Sequence, residues 1–217
     1  MKNKDKLIKM FLIFFVYFFY TMYAGTILGA IGITDSITAS FIGDVLFMLF
    51  AIYMYRHNLL EDIKKFKKYS WKKILKTIVL WVVIIFAFNM VSGMFIELLA
   101  PGYEMDANTD AVYNLYSIST WYTIFKTMIF GTLAEEILYR ESVRDNIKNN
   151  VVFIVTSAVI YTFMNMNFGG INTGFELVSI VAYFLPAIFF SIAYIRNDNN
   201  ILLWIWFLYI KNRLCYK

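Results

Sequence analysis

The sequence predicts an all-α fold: a polytopic membrane helix bundle of about six full spans plus a short C-terminal helix, forming one membrane domain over residues 1–217. Three observations predict it. The chain is 60% hydrophobic and 20% aromatic with only 16% charged residues, whereas a water-soluble domain of this size carries about 25% charged residues. Its apolar residues fall in long runs, several near the roughly 20 residues that cross a hydrocarbon core about 30 Å thick. Basic residues cluster in every second linker between those runs, the positive-inside pattern of membrane helices.

The elements follow in order. "MKNKDKLIKM" opens with a basic stretch like that of a signal peptide, but the apolar run from Met10 to Thr34 is too long for a signal core and reads as a retained first helix, about 8–32. Further runs predict helices at about 38–55, 75–96, 118–140, 151–168 and 177–195. The last run, "ILLWIWFLYI" at 201–210, rises only about 15 Å as a helix. It either stops half-way or lies at the interface. Asn149-Asn150 marks a hairpin turn between the fourth and fifth spans.

Lys2, Lys4, Lys6 and Lys9 precede the first span, whereas "ITDSIT" after it holds no basic residue. The second linker carries Arg56, Lys64, Lys65, Lys67, Lys68, Lys72, Lys73 and Lys76. The third, "IELLAPGYEMDANTDAVYNLYS", has four acids and no Lys or Arg. With Arg140, Arg144, Lys148 and Arg196, sixteen of the twenty basic residues fall on one side. The expectation is a multi-pass cell-membrane protein with its N-terminus and the 56–76 segment cytoplasmic and 97–117 outside. The 56–76 segment is expected to meet anionic lipid heads, with "KKFKKYSWKK" as an interfacial helix. Because the basic residues lie between apolar runs rather than on one polar face, the net charge of +5 does not point to nucleic acid.

The single cysteine, Cys215, and the single histidine, His57, exclude an internal disulfide and a Cys/His metal cluster. His57 sits beside Arg56 and reads as a surface residue. The chemistry concentrates in "GTLAEEILYRESVRD", residues 131–145. An ionised carboxylate in a membrane costs at least a few kcal/mol, so Glu135 and Glu136 need partners or water. Neighbouring helical residues point about 100° apart, so the two have different surroundings. Glu136 and Arg140 form an i,i+4 pair in the favourable order, a structural ion pair. Glu135 has no local partner, since positions 138 and 139 are Leu and Tyr. It is the better candidate for a general base. Counted from the hairpin, Glu135 and Asn165 lie at similar depth, and Asn212 lies comparably deep on the last segment. Intramembrane asparagine also serves as helix–helix glue. Asp44, on the second span, is expected to pair with Lys126 or snorkel, with a polar cavity as the alternative.

These residues resemble the CPBP family, the CAAX-processing and bacteriocin-processing membrane endopeptidases also labelled Abi proteins. "EEILYR" matches the family's Glu-Glu-x-x-x-Arg motif. "SAVIYTFMNMN" falls on its Ser-x-x-x-Phe-x-x-x-His-x-Asn setting, with Tyr161 in place of Phe and Asn165 in place of His. "LYIKN" falls on His-x-x-x-Asn, with Leu208 in place of His and Asn212 retained. The resemblance covers about 118–212, in order and on successive helices. It implies that Glu135 is the base activating a water, that Asn165 stands in the catalytic set and that Asn212 helps to stabilise the oxyanion.

Both histidine positions differ, and neither asparagine nor leucine transfers protons near neutral pH. The resemblance therefore implies a catalytically impaired homologue acting in peptide or helix binding, bacteriocin self-immunity or regulation, without a cofactor or metal. Its expected partners are membrane lipids and a membrane-embedded or lipidated peptide or partner helix. An active endopeptidase, with Glu135 and a water held by Asn165, is the alternative. A small transporter or structural membrane protein is a third reading, though inverted repeats are absent and Pro186 stands alone in its span.

Overall fold

The computed structural model describes residues 3–99, 101, 107–165 and 174–202. They form helices and short connections, with no strand among them. The helices are α1 (Asn3–Ala30), α2 (Ser36–Phe66), α3 (Trp71–Leu99), α4 (Ala107–Ile118), α5 (Thr120–Ile124), α6 (Ser142–Asn146), α7 (Asn150–Asn165) and α8 (Gly174–Arg196). Between α5 and α6 the helix continues in wider π turns, Phe125–Glu135 and Ile137–Glu141.

Helix ends follow local chemistry. α1 stops at Gly32, whose φ of 92° is the left-handed conformation that ends helices, while Ile33 N–H reaches back to the Leu28 carbonyl. Asp35 opens α2 by accepting from Thr38 N–H at 2.7 Å, and the hydrogen bonds from Thr38 hold its carboxyl below the usual carboxylate range. Asn149 starts α7 by accepting from the backbone N–H groups of Val151 and Val152. The hairpin read at Asn149-Asn150 is thus a capped helix start.

Two described helices, α2 and α3, are each long and apolar enough to cross a membrane. α1 makes a third if its two limbs, bent by 59°, are one span. α7 and 180–196 are apolar but shorter, so fewer full spans stand among the described residues than the apolar runs imply. Two more differences concern the linkers. The acidic segment is not all connector, because α4 occupies 107–118. No separate interfacial helix forms at "KKFKKYSWKK": α2 runs on to Phe66, 67–70 turn, and α3 begins at Trp71. Charged helical extensions of spans are stable because the i→i−4 ladder persists after the apolar run ends.

The main core joins α1, α2, the π turns, α7 and α8 through Ile13, Phe47, Tyr55, Phe130, Ile137, Tyr139, Phe153 and Tyr194. A second cluster packs α3 on α8 through Ile78, Trp81 and Phe190. Gly43 allows α2 close to α1, since a Cβ there would lie 3.1 Å from that of Ala24. The outer faces remain apolar: Phe11, Phe15 and Phe18 of α1 and Val83, Met90 and Met94 of α3 are exposed, as suits a lipid solvent.

Polar contacts gather the basic segments at one end of the molecule. Lys6 pairs with Asp145 at 2.8 Å. Asn58 Nδ2 and Tyr194 Oη both donate to Glu141, tying α2 and α8 to the second π segment. The Asp62 carboxylate accepts from Ile201 N–H at 2.9 Å, and its carbonyl accepts from Asn200 Nδ2. α2 thereby holds the backbone that follows α8 at Asn200 and Ile201.

Candidate active site

The site is built on the broken helix 120–146. In the π turns each N–H reaches the carbonyl five residues back, which widens the helix and shifts side chains relative to an α-helical register; such turns recur at functional sites. Near its start, Asp44 of α2 is buried and accepts from Tyr20 Oη and, at 2.8 Å, from Tyr122 Oη, with Lys126 Nζ 3.8 Å away. The pairing of Asp44 with Lys126 expected from the sequence is present.

Glu136 and Arg140 lie deeper in the protein. Arg140 Nη1 donates to Glu136 Oε1 at 2.8 Å, with side chains 0% and 4% exposed respectively. The guanidinium also lies over aromatic rings from two other helices, 5.0 Å from Tyr161 of α7 and 5.5 Å from Phe190 of α8. The pair therefore ties α7 and α8 to the broken helix besides bridging one of its turns.

Glu135 points elsewhere. It lies in electrostatic reach of Tyr17 on α1, Tyr139 on its own helix and Tyr161 on α7, as well as Lys126, Arg140 and Asp44. No hydrogen bond or ion pair satisfies its carboxylate among the described residues. It is densely surrounded by protein yet keeps some accessible surface. Gly131, one turn back, leaves room for it: a Cβ there would meet Glu135 Oε2 at 3.6 Å and the Lys126 carbonyl oxygen at 3.2 Å.

On α7, Ser157, Tyr161 and Asn165 recur every four residues and share a face. Buried Ser157 donates to the Tyr139 carbonyl at 2.8 Å, and the Tyr161 ring meets that of Tyr139 edge-on at 5.2 Å. That contact sets the register of the two helices. Glu135 and Asn165 each stand one turn beyond it, away from the hairpin. Asn165 Nδ2 donates to the Tyr161 carbonyl at 2.8 Å, leaving its amide oxygen available as an acceptor. Asn212 and Leu208 lie outside the described residues, as does Asn167.

Sequence reasoning missed Tyr17 and Tyr139, two of the phenols in electrostatic reach of Glu135. Tyr17 belongs to the run "FFVYFFY", where nothing local distinguishes it from its neighbours. Tyr139 is four residues after Glu135 and was legible as a same-face neighbour, but not as one member of a three-helix cluster. His57 is exposed near the basic end of α2, where it lines a separate hollow with Asp5, Lys9 and Arg56. Among the described residues no three His, Cys, Asp or Glu side chains come together in a way that would hold a metal ion.

Residues 117–212 match the model of the type II CAAX prenyl endopeptidase Rce1-like family. No curated protein and no solved structure matches the chain. The match spans the broken helix with its Glu-Glu-x-x-x-Arg motif, α7 and α8, and continues to Asn212. The segment 117–212 is thus similar to the Rce1-like type II CAAX prenyl endopeptidases, over a little under half of the chain.

Proposed function

We propose that this protein is a catalytically impaired member of that family, which binds a membrane-embedded or lipidated peptide, or a partner helix, and acts in bacteriocin self-immunity or regulation. The observation that carries the reading is the company of Glu135: three tyrosines from three helices, and Asn165 one turn beyond Tyr161. Hydrolysis of an amide needs a group that takes a proton from water and returns it to the leaving nitrogen. Glu135 can take that proton and, once protonated, hand it on, but no imidazole stands with it to hold the water and share the transfer: the single histidine, His57, lines the hollow on α2. An amide side chain holds a water but transfers no proton, and a phenol, ordinarily titrating near 10, is a weak donor at neutral pH. The site is then suited to holding a chain more than to cutting it.

The test compares purified protein with its Glu135→Gln variant on prenylated and membrane-embedded peptides. Little turnover is expected from either, together with retained peptide binding. Robust cleavage that disappears in Glu135→Gln would establish the active endopeptidase instead. Cleavage that survives the substitution would remove Glu135 from the role of base.

We further propose that the chain is multi-pass, with the basic end cytoplasmic. The contacts Lys6–Asp145, Asn58–Glu141 and Asp62–Ile201 support this by bringing the N-terminal, 56–66, 140–148 and 196–202 segments together, and positive-inside bias assigns that end. With Cys215 replaced by serine, a cysteine at Ser70 should label only after permeabilisation, and one at Asn108 in intact cells. External labelling at Ser70 sinks the orientation.

A further inference from the structure

Two adjoining hollows on the outside of α1 are lined by none of the residues in reach of Glu135. One is an apolar groove of about 640 Å³ between α1 and α7, lined by Ile8, Phe11, Leu12, Phe15, Phe18 and Met164 among others. The other, of about 320 Å³ between α1 and α2, has an apolar floor of Ile8, Leu12 and Met54 and carries Asp5, Lys9, Arg56 and His57. Ile8 and Leu12 line both, so the two are continuous around the helix. From Ile8 to Phe18 the helix rises roughly 15 Å, half of a hydrocarbon core about 30 Å thick. The groove is therefore as long as one leaflet, and the hollow that carries Lys9 and Arg56 sits at its basic end, at headgroup level.

The cations there are held open. Lys9 Nζ rests 3.7 Å from the centre of the Tyr55 ring, and the Arg56 guanidinium 4.5 Å from that of Tyr53. Among the described residues neither has a carboxylate within ion-pair distance. Among the residues lining the hollow two cations face one carboxylate, Asp5, while Asp145 and Glu141 act on Lys9 from outside it. Asp5, His57 and the Tyr53 hydroxyl supply partners for headgroup hydroxyls.

We propose that this surface binds one anionic phospholipid with a hydroxyl-bearing headgroup. Its phosphate lies between Lys9 and Arg56, and an acyl chain runs along Phe11, Phe15 and Phe18 to Met164. The site rests on the membrane placement of the basic end and not on any activity at Glu135, so the peptidase assay and the lipid test fail independently.

The test is native mass spectrometry of the full chain in detergent, with dioleoylphosphatidylglycerol or dioleoylphosphatidylcholine at equal concentration. One phosphatidylglycerol per chain is expected to be retained in preference to phosphatidylcholine. Arg56→Gln and Lys9→Gln should each reduce that preference about fivefold, the weight of one cation at a lipid surface. Leu12→Trp, which fills the shared floor, should abolish retention with helical content unchanged. Lys67→Gln with Lys68→Gln, at the same end but outside the hollow, should leave the preference intact. Equal retention of the two lipids overturns the proposal, as does a preference indifferent to Arg56 and Lys9. So does one that falls equally with Lys67 and Lys68, which would mark diffuse surface attraction. Occupation of the groove by a second copy or a co-purified helix in place of lipid overturns it as well.

Discussion

Arg140→Leu is expected to destabilise the protein by about 3–5 kcal/mol, the range found when one partner of a buried ion pair is removed. The cost comes less from the lost attraction than from what remains. Glu136 is almost wholly buried, and without the guanidinium its carboxylate must stay charged in an apolar surrounding or take up a proton. The substitution also strips the cation from above the Tyr161 and Phe190 rings, loosening α7 and α8 from the broken helix. The measurement is unfolding in mixed detergent, followed by loss of helical circular dichroism. The double variant Glu136→Leu with Arg140→Leu should recover much of the loss, because no stranded charge is left. Glu135→Gln should barely move stability, since no described ion pair is broken. A loss under about 1 kcal/mol in Arg140→Leu would mean that water reaches Glu136 and that the pair behaves as a surface salt bridge.

Asn165→His together with Leu208→His should raise peptide cleavage by about 10²–10⁴, the usual weight of general acid–base assistance. Asn165 stands one turn beyond the Tyr139–Tyr161 contact, as Glu135 does on the facing helix. An imidazole there, ordinarily titrating near 6.5, would add the proton relay that an amide lacks. Asn165→His alone is expected to give the smaller part of the gain. The gained activity should vanish on Glu135→Gln and should follow a bell-shaped pH profile bounded by a carboxylate and an imidazole. A folded double variant with no gain would show that Glu135 and Asn165 do not act on one water.

Local features of this molecule were legible without coordinates because helix geometry alone decides them. Residues four apart on a helix face each other, so Glu136 and Arg140 were bound to meet. Asn149 next to an apolar run is a helix start, and Asp35 two residues before the next run is another. Even Asp44 and Lys126 were matched correctly from charge alone, because a buried carboxylate in an apolar span needs the nearest cation. α4 was passed over: Ala111, Val112, Leu115 and Tyr116 are spaced as on one helix face, but the short stretch lies in the acidic linker and read as connector, whereas the backbone is helical over 107–118.

What the sequence determined by itself is the class of solvent, the all-α class, the grouping of basic segments and the one-turn ion pair, all consequences of composition and of spacing along a single helix. What only the tertiary structure decided is the company of Glu135. In a chain that is 60% hydrophobic, apolar residues surround every helix, so no polar stripe tells which face turns inward. Helix rotation is then set by packing: Gly43 under Ala24, Ser157 on the Tyr139 carbonyl, and Tyr161 edge-on to Tyr139. The π turns add their own displacement, because five residues per hydrogen-bonded ring shift the register that a 3.6-residue count assumes. Tyr17, Tyr139 and Tyr161 come to Glu135 through those contacts between helices, which no spacing along the chain encodes.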